Sequence, residues 1–218
     1  RYRLEIVGLP PEFDGAFSYA LPAGVYDVSV ESPGSTKYVK KNVSIPADKE
    51  LAEFGIFAGD VNGDEIINII DVAELIVSYG ANVGLGSAID LNGNGIADPQ
   101  DLSNIIGNIG RRSKTDTLVL GAEDNPILIF NEADLREVGR DNRSGWGLSA
   151  CYLLMDNITV IPLTSGGSYW TPIGNITTRF TGTFDGNGHS ITGLAIDSPD
   201  NNQGMFGAGN TGCVIKNL

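Results

Sequence analysis

The sequence predicts a mainly β chain of several domains: a small antiparallel β domain over residues 1–58, a helical pair over 59–110, and a coiled parallel β structure over 111–218. Three observations predict it. The first stretch alternates apolar and polar residues between turns. The second repeats an Asp/Asn-rich loop and an amphipathic helix with a period of 30 residues, and the third is a run of short strands broken by Gly and Asn. Charge draws the same boundaries. No Lys or Arg lies between Lys49 and Arg111, while Asp60, Asp64, Glu65, Asp71, Glu74, Asp90, Asp98 and Asp101 all fall there.

With 218 residues, 41% of them hydrophobic, the chain has enough apolar content to fold as one large domain or two to three small ones. It has no run of about 18 apolar residues and no basic segment ahead of an apolar one, so neither a membrane span nor a signal peptide is expected. It starts at Arg1 inside one expected strand and stops at Leu218 inside another, which suggests a piece of something longer. The formal charge of −13 repels nucleic-acid phosphates and anionic lipid, and favours cations as partners. Cys151 and Cys213 provide no disulfide framework, leaving either two buried free thiols or one bridge. Asn-x-Ser/Thr acceptors occur at Asn42, Asn142, Asn157 and Asn175, consistent with a secreted protein.

In the first segment the strands are expected in "YRLEIV", "VYDVSVE", "KYVKKNVSI" and "LAEFGIF", separated by "GLPPEFDG", "LPAG" and "SPGS". So small a domain buries little surface and needs a missing strand or a neighbour to be stable. In the second segment, "DVNGDEIINIIDVAELIVSYG" aligns with "DLNGNGIADPQDLSNIIGNIG". Val72, Leu75, Ile76 and Tyr79, and then Leu102, Ile105, Ile106 and Ile109, fall at i, i+3, i+4, i+7 and predict one apolar face per helix, with Gly80 and Gly110 as helix-ending residues. After residue 111, "NEADLREVGR" predicts a short helix, and "YLLMDNITVI", "WTPIG", "RFTGTFDGNGHSITGLAI", "GMFGAG" and "CVIKNL" predict short strands whose rhythm suits a parallel coil better than hairpins.

The repeated loops carry the chemistry. A calcium loop of the EF-hand kind takes side-chain oxygens at positions 1, 3, 5, 9 and 12 and a main-chain carbonyl at position 7. Asp60, Asn62, Asp64, Asn68 and Asp71 occupy those positions with Ile66 at the carbonyl position. Asp90, Asn92, Asn94, Asp98 and Asp101 do so in the second loop, with Ile96. Oxygen ligands without His or Cys select Ca²⁺ or Mg²⁺, and the irregular ligand number favours two Ca²⁺. A bound cation balances the carboxylates, so folding is expected to be linked to metal. The bland alternative is an Asp/Asn/Gly turn that only caps a helix; two loops in register weigh against it. At the sixth position, where the chain turns sharply, Gly95 fits and Glu65 departs, which predicts strain of about 1–2 kcal/mol in the first loop.

Two such loops ending in Asp, each followed by a single helix, resemble a dockerin domain over Gly59 to Gly110. The preceding segment resembles the small prealbumin-like or X-module-like β-sandwich that often adjoins one. The tail from Trp170 to Leu218, with "FTGTFDGNGHSITGL" and "GMFG", resembles the GLUG-type repeat of surface proteins. The resemblances imply an EF-hand-like calcium pair, docking to a cohesin-type domain, and the opening turns of a right-handed parallel β-helix. In the dockerin family, loop positions 10 and 11 help choose the partner. Here these are Ile69 and Ile70, then Pro99 and Gln100, which implies two unlike faces. Ile69 and Ile70 either contact a partner or pack within the chain.

Catalysis finds little support. His189, the only histidine, lies in the turn sequence "FDGNGHSI" with Asp185, and no zinc pair, nucleophile elbow or phosphate loop occurs. The carboxylate pairs Asp197 with Asp200 and Glu132 with Asp134 suit turns and a helix start. Trp146, Tyr169 and Trp170 are candidates for stacking on a polysaccharide, with packing as the alternative use. The expectation is a non-catalytic, extracellular, calcium-binding module for attachment or structure. Two other readings stay open: an appendage of a secreted glycosidase or peptidase, and a filament subunit joined by strand exchange.

Overall fold

In "GVYDVSV" every second residue is apolar, and in strand β2 (Gly24–Val30) that alternation buries Tyr26, Val28 and Val30. Strand β3 (Tyr38–Ile45) likewise buries Tyr38, Val43 and Ile45. With β1 (Tyr2–Ile6) and β4 (Lys114–Thr117) they form one sheet in the order β1-β2-β3-β4. The computed structural model describes residues 2–6, 18–46, 49, 51, 54–161, 170–196 and 201–218.

This sheet departs from the antiparallel expectation. β1 runs parallel to β2, with Tyr2 opposite Tyr26 and Ile6 opposite Val30, and β3 runs parallel to β4, with Tyr38 opposite Lys114 and Lys41 opposite Thr117. The reason is connection length. Residues 7–23 separate β1 from β2, and the whole helical pair separates β3 from β4; parallel strands need long crossovers of this kind where a hairpin needs a tight turn. "LAEFGIF" forms no strand among its described residues and contributes only a bridge from Ala58 to Ser35. Among the described residues the first unit contains this one sheet, so a second sandwich layer is not found within it.

Helix α1 (Ile69–Val77) and helix α2 (Pro99–Asn108) start on capping boxes. The Asn68 and Asp98 side chains cap the first turn, while the Asp71 and Asp101 carboxylates reach back to the N–H groups of Asn68 and Asp98 at 2.7 and 2.8 Å. Gly110 sits at the C′ position of α2, and Gly80 one residue further out from α1, both left-handed with φ of 89° and 78°. The two repeats pair crosswise. The segment after α1 bonds to the second loop (Gly80 N–H to Ala97 O, Ala97 N–H to Ala81 O), and the segment after α2 bonds to the first (Gly110 N–H to Ile67 O, Ile67 N–H to Arg111 O). Isolated bridges Asn82–Ile96 and Ile66–Arg112 extend both ladders.

The core between the helices is small: Val61, Ile67, Leu75, Leu91 and Ile105 are buried, with Val72 and Leu102 packed against them. Only half of each expected apolar face is used. Ile76, Tyr79, Ile106 and Ile109 are exposed, because two helices packed on each other bury a narrow seam rather than the whole stripe.

Beyond β4, strands β5 (Ile127–Ile129), β6 (Cys151–Leu154), β8 (Thr183–Asp185) and β10 (Val214–Lys216) form a parallel sheet in the order β10-β8-β6-β5. β7 (Ile158–Thr159) and β9 (Ile191–Thr192) pair in parallel on a second sheet, and parallel bridges Ile173–Phe206 and Phe180–Gly209 continue the pattern. Thr159 and Thr192, 33 residues apart, share a 3.2 Å hydroxyl contact across β7 and β9, so the chain returns to each position after a long coil. Ile127, Tyr152 and Phe184 stack inward rung over rung, and Phe184 meets Phe206 edge-on at 5.5 Å. The expected short helix forms as α3 (Glu132–Glu137). By contacts the chain divides into one unit of Arg1–Leu21, Val25–Val43 and Asp48–Thr117, and another of Pro22–Gly24, Ser44–Ala47 and Leu118–Leu218. β4 therefore lies past the boundary expected at residue 111.

Candidate metal centre in the paired acidic loops

The capping carboxylates also close the loops. Asp71, fully buried, accepts the N–H groups of Val61 and Asn62 on Oδ1 (2.9 and 3.3 Å) and that of Asn68 on Oδ2. Asp101 repeats this with Leu91 and Asn92 (2.8 and 3.0 Å) and Asp98. Inside each loop the ligand-position residues take main-chain N–H groups two residues on: Asn62 from Asp64, Asp64 from Ile66, Asn68 from Ile70, and equivalently Asn92 from Asn94, Asn94 from Ile96, Asp98 from Gln100. These bonds fold each loop around its own oxygens.

The loops differ at their first residue. Asp90 is fully satisfied, with Oδ1 taking the Asn94 N–H and Oδ2 the Gly95 N–H, both at 2.9 Å. Asp60 accepts the Glu65 N–H on Oδ2 at 3.0 Å, with the Gly63 N–H also acting on the carboxylate; its Oδ1 is buried without a partner at hydrogen-bond geometry. Burial, and then the charge of Asp71, push the Asp60 carboxyl above the ordinary aspartate value. In the second loop the Asn94 amide, followed by the Gln100 N–H, holds Asp98 below the ordinary value. Glu65 adopts φ 70° and Gly95 φ 82°, so the sixth position is left-handed in both loops and Glu65 carries the strain expected of it.

Among the described residues no group of three His, Cys, Asp or Glu side chains lies close enough to hold a metal ion by itself. The oxygens available to each loop include Asn amides and the carbonyls of Ile66 and Ile96, and Ile66 O accepts a bond from the Asn68 amide at 3.1 Å. A donor set of hard oxygens, with one buried carboxylate oxygen lacking a partner, fits a divalent cation of the calcium class.

Ile69, Ile70, Pro99 and Gln100 are all exposed, Ile69 by 71% and Ile70 by 52%. Of the glycosylation candidates, Asn142, Asn157 and Asn175 are exposed and Asn42 is half-buried in β3. Asn157 and Asn175 use their carbonyl oxygens on Ser190 and on Thr177 and Thr178. Trp146 and Trp170 are buried and serve packing rather than an open stacking face, and Tyr169, Asp197 and Asp200 lie outside the described residues. The Asp185 carboxylate bonds Asn187 and Asn217 and pairs with Lys216 at 3.2 Å, which commits it to the turn it shares with His189. Glu132 and Asp134 pair with Arg136 and Arg143. Cys151 and Cys213 are free: β8 lies between β6 and β10, and two strand spacings of about 4.8 Å exceed disulfide reach.

Sequence reasoning missed the crosswise bonding and the role of Asp71 and Asp101 as acceptors for both loop entry and helix cap. The equal spacing of Gly80 and Gly110 after each loop was the available signal for the first.

Among the described residues no helix is long and apolar enough to cross a membrane. No family model matches the chain. A putative Gly-rich membrane protein of Evansella cellulosilytica is 35% identical over 99 residues, which is 45% of this chain and 11% of that protein. Halomucin of Haloquadratum walsbyi is 35% identical over 103 residues, 45% of this chain and 1% of that protein. The match thus spans only a small part of the length of these curated relatives. Among solved structures, a chain of a type II cohesin–X–dockerin complex from Acetivibrio cellulolyticus, an N-terminal interface mutant, is similar at 25% identity over 43% of this chain and 67% of that one, with a TM-score of 0.35.

Proposed function

We propose that this chain is a non-catalytic extracellular module for attachment or structure, in which the loops Asp60 to Asp71 and Asp90 to Asp101 each hold one calcium ion as a dockerin-like pair. The parallel rungs that follow are read as opening turns of a right-handed β-helix, serving as stalk or adhesive surface. One observation carries the calcium reading: the buried, unpartnered Oδ1 of Asp60, at the first ligand position of a loop whose other oxygens are already oriented. Burying a charged oxygen without a partner is costly, and a cation is the partner that removes the cost.

In the first loop the holding residues are Asp60, Asn62, Asp64, Asn68 and Asp71 with the carbonyl of Ile66. In the second they are Asp90, Asn92, Asn94, Asp98 and Asp101 with that of Ile96. The ion supplies positive charge to carboxylates that otherwise repel. Asp71 and Asp101 couple loop closure to helix start, because the same carboxylate binds the loop entry and the helix cap. The exposed Ile69 and Ile70 at the start of α1 then offer an apolar surface to a cohesin-type partner.

Calcium titration by calorimetry on the intact chain, with thermal unfolding in calcium and in chelator, tests this beside a variant carrying Asp60→Ala and Asp90→Ala. Two sites per chain, lost in the variant with a fall in melting temperature, are expected. No binding heat and no change in stability would reduce the loops to helix-capping turns.

A further inference from the structure

A cleft of about 300 Å³ opens on the C-terminal unit between Arg140, the 171–178 segment and residues 201–203. Its polar lining is mainly amide. The side chains of Asn201 and Asn202 make no hydrogen bond among the described residues, and Asn175 has its oxygen on Thr177 and Thr178, which leaves its NH₂ free to donate. Arg140 is the cation of the site. Its Nε donates to Arg136 O and its Nη2 to Thr171 O and Pro172 O, while Nη1 has no acceptor among the described residues. Arg136 and Arg143 each pair with a carboxylate, at 2.7 and 2.9 Å, whereas no carboxylate lies within ion-pair distance of Arg140 among the described residues. Glu137 acts on Arg140 only through space, its own carboxylate being bonded by Asn142 at 2.9 Å. Burial pushes the Arg140 guanidinium below its ordinary value, and the charge of Glu137 offsets part of that.

From this cleft we infer a binding site for the carboxylate-bearing sugar unit of an acidic polysaccharide. The volume suits one sugar ring, being at the lower end of ligand pockets. Nη1, the guanidinium nitrogen left over from those bonds, offers a charged donor to one carboxylate oxygen. Amides that both donate and accept match neighbouring hydroxyls. Pro172 and Ile176 supply an apolar wall for the ring face. This goes beyond the calcium pair and does not depend on it, since every residue of the cleft lies in the Leu118–Leu218 segment.

The test is titration of the intact chain with digalacturonate, its methyl-esterified form and a glutamate-rich peptide, followed by calorimetry or amide chemical shifts. Digalacturonate is expected to bind, and the ester to bind roughly 10-fold more weakly, the equivalent of one charge-assisted contact. Arg140→Gln is expected to lose at least that factor. Because Arg140 also holds the carbonyls of Thr171 and Pro172, Asn202→Asp serves as a second variant: exposed and unbonded, it leaves the fold intact and sets a negative charge in the cleft, so binding should fall similarly. No binding of digalacturonate, equal binding of acid and ester, tighter binding of the peptide, or undiminished binding by Asn202→Asp would each overturn the proposal.

Discussion

Asp60→Asn should have opposite effects with and without calcium. The substitution keeps an acceptor for the Glu65 N–H and nearly the same volume, but removes a charge that is buried with one oxygen unpartnered and that repels Asp71. An unsatisfied buried group costs about 1–3 kcal/mol, and since the new NH₂ also lacks a partner the gain in chelator is at the lower end, about 1 kcal/mol. For a unit of this size that is a rise of roughly 4–8 °C in melting temperature. With calcium at about 100 times its dissociation constant, loss of one site removes roughly 2.7 kcal/mol, so the net is a loss of about 1.7 kcal/mol, or roughly 7–14 °C. Asp90→Asn is the control. Both of its carboxylate oxygens already accept main-chain N–H groups, so an NH₂ there destabilises in chelator as well. The pH dependence has the same origin. The folded state raises the Asp60 pKa, so its contribution to stability in chelator is fully present below the unfolded value of 3.8 and is lost as pH rises through the folded one. Asp60→Asn abolishes this. Differential scanning calorimetry of wild type and both variants, in calcium and in chelator, decides the matter. A loss of stability by Asp60→Asn of equal size in both buffers, or no effect of calcium on the wild type, would refute the reasoning.

The remaining predictions concern other parts of the molecule. Tyr38 donates its hydroxyl to Asp116, and this bond, followed by Lys114, lowers the Asp116 pKa; the associated stability is present above 3.8 and lost as pH falls through the folded value, so Asp116→Asn should flatten the acid limb of a denaturation-midpoint profile. Burial pushes the Tyr152 phenol up to about 12, so its contribution is present below 10 and lost as pH rises through about 12. Tyr152→Phe should remove the last step of the tyrosinate absorbance titration and cost about 1–2 kcal/mol in urea unfolding, because the hydroxyl joins Gly139 N–H to Gly147 O. Ile69→Asp and Val77→Asp, at positions 71% and 88% exposed, should leave chemical stability within about 0.5 kcal/mol of wild type. A larger loss by either would show that these side chains are covered in solution.

What the sequence revealed followed the range of the interactions involved. The left-handed Glu65 and the turn at Asn187 are decided within a few residues, and the Asp/Asn/Gly pattern exposes them directly. Partners far apart in sequence left weaker traces. Alternation in "VYDVSV" predicts a strand but not the direction of its neighbour, which depends on a crossover outside the strand itself. The spacing of Leu75, Ile76 and Tyr79 predicts a helix but not how wide a stripe its partner will cover, and only the seam through Leu75 and Ile105 is closed. For the candidate centre, the repeat of the two loops was legible in the sequence. The asymmetry between Asp60 and Asp90 was not, because both are first-position aspartates in aligned loops. It arises from one main-chain bond, the Asn94 N–H that satisfies Asp90 Oδ1, which has no counterpart in the first loop.

The crosswise bonding of the repeats is reciprocal. Each 30-residue repeat carries one half of two ladders and presents to the other the same groups that it receives from it: residue 67 meets 110 and 111, as 97 meets 80 and 81. A surface that is its own complement is the mark of a twofold homodimer. Loop ends that two separate copies could satisfy only by pairing with each other are here closed within one chain. The two halves are not identical, glycine standing at the tight turn of one and Glu65 at that of the other.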